Sequence, residues 1–225
     1  MSGRCGSLVF RFRSALLCLA AVVAVPVNSQ PEVGALFEPL DTSAPIPVSV
    51  IAGEADSAYQ AGDEELALWA LDDWAKAVGR QLQFKQVADQ TQALIRIHFV
   101  QADAGQYGEM RPLRVGNRRG AEVFIRPDTE ALGAAIARRA ALDPLFRDTI
   151  VYLTCVHELG HALGLSHTSD YEDIMYAFGF GGDIEEYFAR FRRRLSGRAA
   201  IQNESVLSPN DVARLRAIYS VEVGQ

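Results

Sequence analysis

Three histidines and one glutamate lie close together in the sequence, at spacings that suit a metal centre. They form the stretch His157-Glu158-Leu159-Gly160-His161, which is followed by His167. Residues four apart on a helix project from the same face, one turn apart, so the His157 and His161 imidazoles can meet one metal ion. Gly164 lets the chain leave the helix and turn back, so His167 can supply a third nitrogen.

This ligand set predicts a catalytic zinc site rather than a closed structural one. Three protein ligands leave a fourth position for water, and zinc lowers the pKa of that water. Glu158 directly follows a ligand, so it is our candidate general base and can carry the proton to the leaving amine. Only four histidines occur in the chain, and three fall on the pattern H-E-x-x-H-x-x-G-x-x-H, which disfavours a chance match.

The segment resembles the metzincin zinc peptidases and, within them, the matrixins. Residues 157–167 read HELGHALGLSH, and Asp173-Ile174-Met175-Tyr176 follows where that family places its Met-turn. The resemblance implies that Met175 forms a floor beneath the zinc without binding it. It covers most of residues 46–220, including Trp74 and the C-terminal stretch LSPND at 207–211, and is weak between 101 and 147.

The resemblance also implies a fold and a metal content. We expect an α/β (α+β) metzincin-like zincin domain, with a twisted, mostly parallel sheet of about five strands, the zinc-binding helix and a smaller C-terminal part after Gly164. The active site would lie in the cleft between the two parts. We expect one catalytic Zn²⁺ and no second zinc, because His98 is the only histidine outside the motif. Calcium stays undecided.

The pattern of apolar residues predicts the elements that position this motif. Asp143-Pro144 suits a helix start and Gly164 a helix stop, so the zinc helix should run from 144 to 163. The other expected helices cover 63–78 and 128–141, with a closing helix after Ser208. The expected strands cover 48–51, 82–87, 93–100, 109–115 and 121–125. The last two strands would form a hairpin-like edge, along which a peptide could bind.

Residues 183–197 depart from the matrixin pattern and are predicted to form an inserted amphipathic helix. An apolar stripe recurs at helical spacing, and arginines crowd its C-terminal half. Three interpretations stay open: a structural brace with a solvated basic face, a lid or wall beside the cleft, and contact with an anionic membrane surface. The brace is the favoured interpretation and the membrane the least favoured.

The N-terminal segment predicts export. Three arginines precede an apolar run at 15–27, which is the layout of a signal peptide covering residues 1–29 and leaving Gln30 as the new N-terminus. Residues 30–47 would be an extended lead-in, and 48–225 the matrixin-like catalytic domain. Cys18 raises a lipoprotein alternative, which the bulky Leu17 disfavours. Cys155 would be the one cysteine left after cleavage, so no disulfide could form within the mature chain.

The net charge of the chain narrows the classes of molecule that it could bind. Removing residues 1–29 takes away three arginines and no acid, which changes the net charge from −6 to −9. An acidic exported protein is a poor ligand for nucleic acid or an anionic membrane, so we expect a peptide or protein substrate in a secreted, periplasmic or extracellular location. The oligomeric state is left open.

Together these features predict a secreted zinc-dependent endopeptidase with His157, His161 and His167 as metal ligands and Glu158 as catalytic base. Two alternatives keep the same zinc ligands. One is a zinc hydrolase of a non-peptide amide, and the other is a non-catalytic binding module that uses zinc to hold its fold. Glu158 beside an open three-histidine site favours chemistry over scaffolding.

Overall fold

The computed structural model describes residues 38–102 and 107–219, apart from the side chain of Arg80. These residues belong to one compact unit. The predicted signal peptide, residues 1–29, and the first part of the predicted lead-in, residues 30–37, lie outside the described residues.

A five-stranded sheet forms one layer, in the order β2-β1-β3-β5-β4. Its strands are β1 Ile46–Ile51, β2 Phe84–Gln86, β3 Ile95–Phe99, β4 Gly108–Val115 and β5 Arg118–Ile125. All neighbouring pairs are parallel except β4 and β5, which are antiparallel and joined by a two-residue turn at 116–117. The expected mostly parallel sheet of about five strands is therefore confirmed, and β4 is its edge beside β5.

Five α-helices accompany the sheet, namely α1 Asp63–Val78, α2 Ala134–Leu142, α3 Pro144–Ala162, α4 Ile184–Arg192 and α5 Pro209–Tyr219. Helix α1 has the predicted bounds, and α3 ends one residue before the predicted 163. Helix α4 occupies the first part of the predicted 183–197 segment. None of the helices in the described ranges is long and apolar enough to cross a membrane.

The second predicted helix, residues 128–141, was wrong in its first half. Residues Thr129–Leu132 form a short 3₁₀ helix, and α2 begins only at Ala134. Gly133 separates the two with a φ of 103°, a left-handed conformation that an α-helix cannot continue through. Asp128 caps the 3₁₀ turn by accepting a hydrogen bond from the backbone N–H of Glu130.

The core lies between the sheet and the packed pair α1 and α3. Trp74 of α1 is fully buried, and its indole Nε1–H donates a 2.9 Å hydrogen bond to the carbonyl of Val156 on α3. The inward residues of β3 (Ile95, Ile97 and Phe99) are buried as well. This packing fixes the position of α3, the helix that carries the histidine motif.

Candidate metal centre

Helix α3 begins after an N-cap formed by Asp143 and ends before Gly164, as these residue types predict. The Asp143 side chain accepts a hydrogen bond from the N–H of Phe146, and Pro144 takes the first helical position. At the other end Gly164 adopts a φ of 106°, its N–H bonds to the His161 carbonyl, and the Leu165 N–H bonds to the Gly160 carbonyl. This is the Schellman arrangement, which reverses the chain and returns residue 167 to the helix face.

The three histidines of the motif converge on one point. His167 Nε2 lies 3.2 Å from His157 Nε2 and 3.1 Å from His161 Nε2. Nitrogen ligands about 2.0 Å from a tetrahedral zinc stand roughly 3.3 Å apart, so these two distances match the ligand spacing of such a site. Among the described residues this is the one group of three potential ligand side chains gathered so closely. The fourth histidine, His98, instead stacks on Phe124.

Backbone carbonyls orient two of the rings. His157 Nδ1–H donates to the carbonyl of Ile174 at 2.7 Å, and His161 Nδ1–H donates to the carbonyl of Leu165 at 2.8 Å. A carbonyl accepts only, so the proton sits on Nδ1 and each Nε2 carries a lone pair. Burial lowers the pKa of His157 to about 3 and of His161 to about 4, so both rings are neutral at physiological pH and suited to a metal.

Glu158 lies beside this point and is 7% exposed. Burial raises the pKa of its carboxyl to about 8, the charge of Glu109 adds to that shift, and Arg126 opposes it. A cation held by the histidines would oppose it further. The carboxylate packs against Gly108 of β4 so closely that a Cβ there would lie 2.7 Å from Glu158 Cγ. A side chain at position 108 would therefore require Glu158 to shift.

The predicted Met-turn packs against the helix that carries the first two histidines and is hydrogen-bonded to the start of α5. Met175 is fully buried and packs against Gly160, between the first two histidines. The backbone around it is tied to α5, because the Ile174 N–H donates to Asp211 Oδ2 at 2.8 Å and Asp173 accepts from Ser208 Oγ at 2.6 Å. Ser208 also caps α5 as expected, since its Oγ accepts from the N–H of Asp211.

An open cavity of about 810 Å³ faces the histidines and Glu158. Gly108 to Met110 of β4 line it, and so do residues of the chain after the Met-turn and of α4. Much of the apolar lining comes from separate elements, and it includes Leu132, Leu153, Tyr176, Phe178, Ile184, Tyr187 and Phe188. The predicted cleft therefore exists, and its lining unites the sheet edge with the C-terminal part.

Helix α4 contributes to this wall and also packs on the core. Ile184, Tyr187 and Phe188 line the cavity, whereas Phe191 is buried and its ring stacks on Tyr152 with centroids 5.8 Å apart. The brace and the wall are therefore not exclusive interpretations. The residues at the start of the apolar stripe line the cavity, and Phe191 further along packs in the core. One face of the helix therefore contacts both the cavity and the core.

The arginines of this segment are paired with carboxylates. The four ion pairs are Arg190 with Glu172, Arg192 with Asp143, Arg193 with Glu186 and Arg194 with Glu204. Each pair offsets one positive charge that an anionic membrane would need, so the geometry does not favour the membrane interpretation.

Three contributors to the site escaped the sequence analysis. Gly108 and Gly160 have no Cβ, which leaves room for Glu158 and Met175 to approach them closely. The Tyr187 hydroxyl donates hydrogen bonds to backbone carbonyls of the Met-turn. A glycine at the start of a strand can signal close approach of another group, which could have drawn attention to Gly108. Tyr187 belongs to the predicted apolar stripe of 183–197, but backbone acceptors cannot be identified from a sequence, so the role of its hydroxyl could not have been predicted.

Comparison with known proteins agrees with the geometry. Residues 128–182 match the family model of the matrixins, whose members are zinc metallopeptidases. A search of curated proteins finds no match to this chain. The matched segment holds α2, α3, all three histidines and the Met-turn, and it ends one residue before Asp183, the N-cap of α4. Over the segment that carries its three converging histidines, the chain is matrixin-like.

Proposed function

We propose that this chain is an exported zinc-dependent endopeptidase. The observation that carries the proposal is the convergence of three Nε2 atoms beside a buried glutamate, on the floor of a cleft whose wall is a strand edge. His157, His161 and His167 would hold the metal, and Met175 would support them from below. The match to the matrixin model supports zinc and peptide hydrolysis as the class of chemistry.

Glu158 is proposed as the general base. Its carboxylate lies next to His157 in the chain and faces the cleft, so it is placed to take a proton from an attacking water and return it to the leaving amine. Zinc, when bound, polarises the scissile carbonyl and lowers the pKa of water. The low exposure of Glu158 keeps bulk water away from the carboxylate, which strengthens its interaction with charge that develops nearby.

The proposed substrate is an extended peptide. In the described part of the chain no strand pairs with the outer edge of β4, and its residues 108–110 line the cleft. A peptide could therefore pair with this edge through its backbone. The residue that follows the scissile bond would enter the apolar part of the cavity, bounded by Phe178, Ile184 and Phe188.

Export rests on the sequence alone. The arginine-flanked apolar run of residues 1–29 supports a cleaved signal peptide. Expression of the full chain with its own N-terminus, followed by N-terminal sequencing of the secreted protein, tests this point. A mature N-terminus at Gln30 is expected, and an intact chain kept inside the cell would contradict it.

A peptide-library digest tests the activity. Purified protein lacking residues 1–29 should cut peptides when zinc is present, stop when a chelator is added, and recover when zinc is returned. Protein that binds zinc with the expected stoichiometry but cuts no peptide would overturn the endopeptidase proposal. The same preparation should then be tested on non-peptide amides, because the alternative hydrolase uses the same ligands and base.

A further inference from the structure

The hydroxyl of Tyr187 on α4 reaches the backbone that holds a metal-site histidine. It donates to the carbonyl of Asp173 at 2.9 Å and, at 3.3 Å, to the carbonyl of Ile174. The Ile174 carbonyl is the group that accepts His157 Nδ1–H at 2.7 Å. One hydroxyl therefore contacts both carbonyls of the peptide pair that precedes Met175.

We propose that Tyr187 is a positioning residue that ties α4 to the metal site by holding the Ile174 carbonyl in place for His157. The inference rests on the proposed role of His157 as a metal ligand. Partners of a ligating histidine fix the orientation of its ring, and Tyr187 fixes the position of such a partner. The helix that walls the cleft thereby also orients a ligand.

The surroundings of Tyr187 leave its ring little freedom. It is 5% exposed, its ring packs edge-on to Phe178 and Tyr171, and the Arg190 guanidinium lies 4.4 Å from its centroid on one face. A rigid ring makes the hydroxyl a fixed donor. Because the ring also lines the cavity, a residue bound there would touch the same side chain that holds the carbonyl.

Tyr187→Phe isolates the hydroxyl, because the ring and its packing remain. Tyr171→Phe is the matched control. The Tyr171 hydroxyl donates to the Asp183 carbonyl at the start of α4, and its ring packs in the same cluster, 5.2 Å from that of Tyr176. It therefore also anchors α4, and none of its described hydrogen bonds goes to a carbonyl that a histidine uses.

The experiment measures metal binding and does not depend on catalytic activity. Zinc affinity is measured on metal-free protein by competition with a chromophoric chelator, together with the absorption spectrum of the Co²⁺-loaded protein and the Tm of the metal-free protein. Tyr187→Phe should lower zinc affinity about three- to tenfold and shift the Co²⁺ spectrum. Loss of a direct partner of a ligating histidine costs roughly 10- to 100-fold, and this contact is one step further out. Tyr171→Phe should stay within about twofold of the parent.

Two results would overturn the inference. One is a Tyr187→Phe protein whose zinc affinity and Co²⁺ spectrum equal those of the parent, whatever its Tm. The other is an equal loss of affinity in both variants, which would mean that general stabilisation of α4 matters and the particular hydroxyl does not. A parent protein that bound no zinc would instead overturn the proposed function and this inference with it.

Discussion

The side chain of Met175 occupies the space that a Cβ at position 160 would need. Gly160 lies on α3 between the two histidines of the helix, and Trp74 Cζ2 would stand 3.1 Å from the same Cβ. The Met-turn therefore touches the histidine helix at the point where that helix has no side chain. This close approach connects the packing of the core to the position of the first two histidines.

We predict that Gly160→Ala destabilises the protein, although alanine usually favours a helix over glycine by about 1 kcal/mol. Overpacking a filled site typically costs about 1–3 kcal/mol, so the clash with Met175 should outweigh the gain in propensity. Denaturant unfolding measures the difference. Met175→Ala in the same protein should recover part of the loss caused by the clash, as a double-mutant cycle would reveal. A more stable single variant would show that the contact is loose.

Replacement of Glu158 by Gln should leave zinc content unchanged and lower kcat by at least about 10²-fold, because the metal ligands remain and the proton acceptor is lost. Zinc analysis and turnover on the same preparation give both values. Near-normal kcat with full zinc content would remove Glu158 from the proposed mechanism.

His167→Ala should lower zinc occupancy and activity together, because two nitrogen ligands hold the metal less tightly than three. His98→Ala is the control, since that ring stacks on Phe124 and is not part of the triad. Full occupancy in the His167 variant would mean that another group completes the site.

Much of the site could be predicted because its signals are local. The i, i+4 histidines and Gly164 lie within eight residues, and the Asp143-Pro144 start lies on the same helix, so local helix geometry predicts the shared face of the histidines and both ends of the helix. The bounds of α1 followed for the same reason. The error at Gly133 shows where local signals fail. The residues on both sides have a helical composition, so the sequence did not indicate that this glycine adopts a positive φ and interrupts the helix.

The wall of the cleft was harder to predict because it depends on distant contacts. Leu132, Leu153 and Ile184 come from three separate elements that meet only in the folded chain. The apolar stripe of α4 indicated that the helix packs against another apolar surface, but it could not indicate that part of the stripe faces a cavity. Cavity lining and core packing require the same residue types, so sequence alone cannot separate them.

Metal removal should lower thermal stability. A ligand that binds only the folded state stabilises it by about 2.7 kcal/mol at a hundred times its Kd, which corresponds to roughly 5–10 °C in Tm for a domain of this size. Thermal unfolding with zinc, with chelator and after zinc is returned measures the effect. His167→Ala should show a smaller difference between the zinc and chelator samples. Equal Tm values with and without chelator in the parent would argue against metal binding by the folded chain.

The final prediction compares a cavity-lining residue of α4 with a core residue that follows the helix. Ile184 lines the cavity and is only partly buried, whereas Leu195, just beyond the helix, is 6% exposed and does not line it. Ile184→Ala should widen the pocket and move the cleavage profile toward larger side chains after the scissile bond, at a small cost in stability. Leu195→Ala removes a similar apolar group from the core, so it should lower Tm by more and leave the profile unchanged. Peptide-library profiles and melting curves of both variants provide the comparison. If Ile184→Ala cuts the same peptides as the parent, α4 braces the domain without selecting substrates.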